Sequence, residues 1–266
     1  MTRRACGSLL AMTFAAGTVG PDRIAVAQNI GRPRLVAIFA HPDDETAAGP
    51  LLARYARERI DVRLVLATNG DRGRGITDMP LGEALGRARA QEAMCSAERL
   101  GINPPILLDL GDGMLAVPAT LRRLETEIAR VLKELAPSAV VTWGGEGLDG
   151  HPDHRIVGAV VTEIVQGWPD GNPPPLFYPG FPQDRATTVP DSPFSRTPTL
   201  ERFLTVRVPF EPRDFEATTS AFACHQTQFT QQQRDTGMAQ LMKLLNGSFY
   251  LRPAFAEQAR WTDMFR

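Results

Sequence analysis

Four short apolar runs, each followed by helical spacing, limit this chain to very few folds. The runs are Leu35-Val36-Ala37-Ile38-Phe39, Asp61 to Ala67, Pro105 to Leu110, and Ala139-Val140-Val141-Thr142-Trp143. Their length and β-branched content mark them as strands, and their nearly continuous apolar character marks them as buried on both faces. Helical patterns follow around residues 50–59 and 83–100, from Pro118 to Leu135, and after residue 152. Pro50 and Pro118 suit a first helical turn, where a missing N–H costs nothing. Gly101 suits a helix stop. Leu121, Leu124, Ile128, Val131, Leu132 and Leu135 recur at helical intervals. Strands alternating with helices of this length form a parallel sheet with helices on both faces. The expectation is a single Rossmann-like α/β domain over residues 28–266.

The remainder is less regular. Residues 167–202 hold nine prolines and little periodicity, with a short strand expected around Leu176-Phe177-Tyr178. A loop this long in a compact domain is usually functional, and it is expected to wall a substrate cleft. A late strand is expected over 202–208 and two helices around 211–223 and 230–246.

The formal net charge of -1 leaves no electrostatic footprint for nucleic acid. Arg3 and Arg4, the apolar Leu9 to Ala16 and the small-x-small Ala25-Val26-Ala27 read as an export signal cleaved before Gln28. That run is too short for a permanent membrane span, so a periplasmic or secreted protein is expected. Of the three cysteines, Cys6 would leave with the signal. Cys95 and Cys224 sit in separate helical patterns, and nothing in the sequence brings their Cα atoms together. Two separately buried thiols are expected, although a disulfide is possible in an oxidising compartment.

Three of the four histidines fall in two motifs, each directly after a strand-like run. His41 stands in Ala40-His41-Pro42-Asp43-Asp44-Glu45, and His151 and His154 stand in His151-Pro152-Asp153-His154-Arg155. In open α/β sheets, ligands bind beyond the carboxyl ends of the strands. Catalytic zinc sites use three protein ligands and keep one position open. His41 and Asp44 can serve one ion from the first loop, and His154 can reach it from the second. Asp43, beside a ligand, can take the proton of the attacking water. His151 can stabilise an oxyanion or protonate a leaving group. Taken singly, either His-Pro-Asp could be only a helix-capping turn. His225 is expected to be structural, a partly buried imidazole held by hydrogen bonds.

Together, Ala40-His41-Pro42-Asp43-Asp44-Glu45 and Gly150-His151-Pro152-Asp153-His154 resemble the LmbE/PIG-L family of zinc-dependent N-deacetylases, which act on N-acetylglucosamine-type sugars. The resemblance runs from Leu35 through residue 165 and resumes weakly at Ala223-Cys224-His225-Gln226-Thr227-Gln228. It implies His41, Asp44 and His154 as ligands of Zn2+, with Fe2+ suited to the same donors. It implies Asp43 as general base and His151 as the group that polarises the carbonyl or stabilises the oxyanion. More loosely, Arg89 in Arg89-x-x-Glu92 matches a sugar-contacting arginine, Asp112 an acid that holds sugar hydroxyls, and Asp71 an acid that lines the cleft. A surface Arg89–Glu92 pair and a plain turn at Asp112 are the bland alternatives. One departure concerns Asp149, which stands where mycothiol-type deacetylases carry a tyrosine. The expected substrate is a small N-acetyl amino sugar or its glycoside. The alternatives are a metal-dependent amidase acting on another N-acyl compound and a relic carbohydrate-binding protein.

Overall fold

The computed structural model describes residue 1 and residues 32–188 and 196–255. The export signal and cleavage site read from residues 3–28 lie outside the described residues. One compact unit begins at Arg32.

Seven strands form one sheet: β1 (Arg34–Phe39), β2 (Asp61–Thr68), β3 (Ile106–Leu110), β4 (Ala139–Thr142), β5 (Leu176–Pro179), β6 (Val206–Pro209) and β7 (Ser248–Pro253). Their spatial order is β3-β2-β1-β4-β5-β7-β6. The first five neighbours in that order run parallel. The helices are α1 (Asp44–Ala47), α2 (Gly49–Arg57), α3 (Glu83–Leu100), α4 (Pro118–Leu135), α5 (Pro152–Gln166), α6 (Gln183–Ala186), α7 (Pro212–Phe222) and α8 (Gln231–Leu245).

Successive side chains of a strand point to opposite faces, and β1 supplies both halves of the core. Leu35, Ala37 and Phe39 face a layer with Leu51 of α2, Ala93 of α3, Phe222 of α7 and Leu241 of α8. Val36 and Ile38 face Leu124 and Ile128 of α4 and Val157 and Val161 of α5. Fully burying a side chain of this kind is worth about 1.5–3 kcal/mol, so β1 cannot shift register without losing both faces at once. Gly101 caps α3 in the left-handed region, φ 71, as its sequence position implies.

This topology places the site. The chain winds outward through β1, β2 and β3, then returns so that β4 pairs with β1 on the other side. The strand order reverses between β1 and β4, and a crevice opens at such a point. The loop after β1 carries residues 40–45, and the loop after β4 carries residues 143–154.

The sheet is not wholly parallel. β7, absent from the sequence expectations, inserts antiparallel between β5 and β6. Its partners are distant in sequence, and local pattern does not reveal such a pairing. The strand expected over 202–208 begins late, at Val206, after a short 3-10 turn at Glu201–Phe203.

Candidate metal and active site

Asp44 is the anchor. It opens α1 immediately after β1, where its Oδ2 accepts the backbone N–H groups of Ala40 and His41 at 2.9 and 3.0 Å. Trp143, at the end of β4, donates its indole N–H to the same oxygen at 3.4 Å and stacks on Phe39. The other oxygen, Oδ1, lies 3.0 Å from His154 Nε2.

Each imidazole is oriented from behind. His41 Nε2 faces Asp112 and Asp153, each at 3.3 Å. His154 Nδ1 faces the Gly147 carbonyl at 3.0 Å and Asp149 at 3.2 Å. These acceptors claim one ring nitrogen of each histidine for a proton. The remaining nitrogens, His41 Nδ1 and His154 Nε2, meet at 3.2 Å. A carboxylate or carbonyl behind a ligating histidine fixes its tautomer and raises its basicity.

The electrostatics agree with a cation site. Burial opposes charge on His41, but its hydrogen bonds to Asp112, Asp153 and Asp44 hold the imidazole well above its usual value. Burial likewise opposes charge on His154, and Asp44 and Asp149 raise it to about 10. Burial would raise Asp44, yet His154 and His41 hold it well below the usual carboxylate range. Two nitrogens facing each other at 3.2 Å cannot both carry protons. A divalent cation on two neutral nitrogens and one carboxylate oxygen would relieve that conflict, because ligation requires deprotonated donors. His41, Asp44 and His154 therefore fit a zinc or ferrous ion in donor type and burial. His151 also brings a ring nitrogen within 4.8 Å of those of His41 and His154.

Asp43 sits beside this cluster with φ 107, in the left-handed region that few non-glycine residues adopt. Burial pushes its carboxyl up to about 6, against the pull of Arg89. His151 caps the N-terminus of α5, its Nδ1 accepting the Asp153 N–H at 3.2 Å. Burial and then the neighbouring positive charge of His41 and His154 push His151 down.

The looser assignments resolve differently. Arg89 is buried, and its guanidinium donates to Asp43 Oδ2 at 3.0 Å, to the Pro42 carbonyl at 2.6 Å and to the Gly70 carbonyl at 3.1 Å. A side chain at Gly70, φ 68, would collide with that guanidinium, which accounts for glycine in this loop. The surface Arg89–Glu92 pair is not formed, because Glu92 instead accepts from Thr227 N and Oγ1, both at 2.7 Å. Asp112 is more than a turn residue, since it faces His41 and lines the cleft. Asp71 does not line the cleft. Its carboxylate accepts the Asp112 N–H at 3.2 Å from behind. Asp149, Asp153 and Trp143 contact His154, His41 and Asp44 respectively and were not singled out for that role by sequence. Their signal was only adjacency to the second motif.

The cleft has a volume of about 990 Å³. None of the described residues of 167–202, the segment expected to wall it, lines it. Part of that segment builds β5, and Thr197 donates its hydroxyl to the carbonyl of Leu148, a residue of the rim. The wall is instead Phe222 and Phe229 with Gln232, Thr236 and Gln240 of α8.

Cys95 and Cys224 form a disulfide with a Cα–Cα distance of 5.9 Å, which corrects the expectation of separate thiols. Packing of α3 against α7 brings them together. His225 follows directly. It is completely buried, and its Nε2 lies 2.7 Å from Glu45 Oε1.

Among known proteins, residues 36–165 match the family described as PIG-L: GlcNAc-PI de-N-acetylase. A relative from Rhodococcus erythropolis, 1D-myo-inositol 2-acetamido-2-deoxy-alpha-D-glucopyranoside deacetylase, is 32% identical over 175 residues, which is 54% of this chain and 60% of the relative. The chain spans about half the length of the curated relatives it matches. The fold is shared with the N,N'-diacetylchitobiose deacetylase of Pyrococcus horikoshii at TM-score 0.63 and 18% identity, over 83% of both chains. It is also shared with the 4-carboxy-2-hydroxymuconate hydratase of Pseudomonas putida at TM-score 0.61 and 16% identity, over 87% of this chain and 100% of the other. Residues 36–165 thus form a PIG-L family domain, while the fold alone accommodates more than one reaction.

Proposed function

Taking the PIG-L family domain as premise, we propose that this protein is a metal-dependent hydrolase that removes the acetyl group from an N-acetyl amino sugar or its glycoside. The observation that carries this reading is the convergence of His41 Nδ1, His154 Nε2 and Asp44 Oδ1 beside Asp43, whose carboxylate ligates nothing in that set. The named relatives support the sugar.

His41, Asp44 and His154 would hold the metal, which supplies Lewis acidity toward the amide carbonyl and the attacking water. Asp43 takes the proton from that water. Arg89 keeps the carboxylate aimed through its bond to Oδ2. As water adds, negative charge grows on the former carbonyl oxygen. Because Nδ1 of His151 accepts a backbone N–H, the proton of the neutral ring sits on Nε2, which is free to donate to that oxyanion. Collapse breaks the C–N bond, the proton held by Asp43 passes to the departing amine, and acetate and the free amino sugar leave. Asp112 and Arg72, both lining the cleft, offer an acceptor and a donor for ring hydroxyls.

The protein acts outside the reducing cytoplasm in this reading. The Cys95–Cys224 disulfide supports it, because such bonds persist in oxidising compartments. N-terminal sequencing of the mature protein should begin at or near Gln28, and a chain beginning at Met1 within the cytoplasm would remove this part. For the activity, acetate release from a panel of N-acetyl sugars is measured with and without chelator. Chelator-sensitive release is expected. Release from non-sugar amides alone would replace the sugar reading with a general amidase.

A further inference from the structure

Glu45 is completely buried, does not line the cleft and has no part in the reaction steps above. Burying a carboxylate beside an imidazole is expensive unless their bonds are well made, and His225 also leaves its Nδ1 buried without a partner. The bonds of Glu45 give this arrangement a purpose. Its Oε2 accepts the backbone N–H of Asp43 at 3.0 Å. Its Oε1 accepts the Ser96 hydroxyl and faces His225 Nε2 at 2.7 Å. The two residues that grip Glu45 each follow a half-cystine: Ser96 follows Cys95, and His225 follows Cys224.

We propose that Glu45, Ser96 and His225, clamped by the Cys95–Cys224 disulfide, are positioning residues that hold Asp43 in its left-handed conformation. Asp43 needs such a hold, since φ 107 is unfavourable for a residue with a Cβ. Thr46 and Arg89 restrain its carbonyl and its carboxylate, through Thr46 Oγ1 at 2.6 Å and the guanidinium at 3.0 Å. Only Glu45 restrains its N–H among the described residues. Loss of that bond frees the Asp43 peptide to rotate toward ordinary φ and carries the carboxylate away from the attacking water. The metal ligands keep their own supports, because Asp44 is held by Ala40, His41 and Trp143. The disulfide adds to a Glu92–Thr227 tie that also joins α3 to this segment. Its contribution is to fix the spacing between Ser96 and His225, so that Glu45 is gripped from both sides.

This inference rests on Asp43 as the base, and its test has an arm that needs no activity. Crystal structures of zinc-loaded wild type and Glu45→Ala are compared for φ at Asp43, together with zinc content and acetate release from N,N'-diacetylchitobiose. Expected are full zinc content, a negative φ at Asp43 and at least a tenfold fall in kcat with little change in KM. Glu45→Gln, which can still accept the Asp43 N–H, should recover most of that loss. Ser96→Ala, the gentlest change, should lie between. The Cys95→Ala/Cys224→Ala double variant, or wild type treated with reductant if that variant does not fold, should lose kcat about threefold or more with zinc retained. Unchanged φ at Asp43 in Glu45→Ala would overturn the proposal, as would activity falling only in step with zinc. Wild-type kcat in both the double variant and the reduced protein would remove the disulfide from it. If wild type released no acetate, the deacetylase reading would fail by itself, and the conformation of Asp43 would still decide this one.

Discussion

The two ends of the cleft are built on opposite principles. At the switch point His41, Asp44 and His154 are buried, Asp43 is half-buried, and each is held by several partners: Asp44 by three donors, His41 by two carboxylates, Asp43 by Arg89 and Glu45. Across the cleft, on α8, Gln232 and Thr236 are exposed and Gln240 is half-buried, and none has a side-chain hydrogen bond among the described residues. One end is rigid and charged, the other adaptable and neutral. Groups that must meet reacting atoms gain from being fixed in advance. Groups that recognise a substrate's periphery can be ordered by the substrate itself. In the proposed function the chemistry therefore belongs to the β1–β4 crevice, and contact with the outlying part of the substrate to α8.

The most damaging blow to the rigid end is loss of a ligand. His154→Ala and Asp44→Ala should each lose the metal by elemental analysis and abolish deacetylation. Full metal content in both would dissolve the proposed ligand set. Next in size, Asp43→Asn should keep the metal and lower kcat by about a hundredfold or more, as expected for a missing general base. Turnover near wild type would hand the proton to another group.

A third test asks whether the adaptable wall rests on its own anchor. Asp214 closes the capping box of α7 and accepts a two-pronged bond from Arg57 of α2 at 2.8 and 3.0 Å. Burial would raise its carboxyl, but Arg57 holds it below the usual range. A carboxyl depressed in the folded state contributes stability above its unfolded value, and that contribution disappears as pH falls through the folded value. Asp214→Asn should cost about 1–2 kcal/mol at pH 7 by thermal melting. The gap should close as the pH is lowered through the carboxylate range, and a gap independent of pH would exclude the ion pair as its source.

The smallest effect belongs to the wall itself. Gln232→Ala and Gln240→Ala should each lower kcat/KM by about 0.5–1.5 kcal/mol, the worth of one hydrogen bond, on a disaccharide substrate and hardly at all on a single N-acetyl sugar. Equal losses on both would erase the distinction between the two ends.

Much of the rigid end was legible in the sequence because its parts are local. Ala40 to Glu45 follows a strand of unmistakable pattern, and His151 to His154 opens a helix with Pro152 in its first turn. Arg89 was found on the right helix, but its partner was not, because Asp43 lies 46 residues away. Asp71 was placed in the cleft by a loose match to the family pattern, and its carboxylate instead accepts the backbone N–H of Asp112. The proline-rich segment was given the cleft because it is long and irregular. Length and irregularity do not say where a loop goes.

Sequence by itself determined the layered α/β plan and the two strand-end motifs that carry the proposed metal donors, because hydrophobic period and short-range spacing set these within a few residues. Tertiary structure alone decided that β7 enters the sheet, that α8 walls the cleft, that Cys95 meets Cys224 and that His225 grips Glu45 across 180 residues of chain. Each of those contacts joins segments whose local patterns carry no record of each other. They form only because the sheet order and the packing of α3 on α7 bring the segments together.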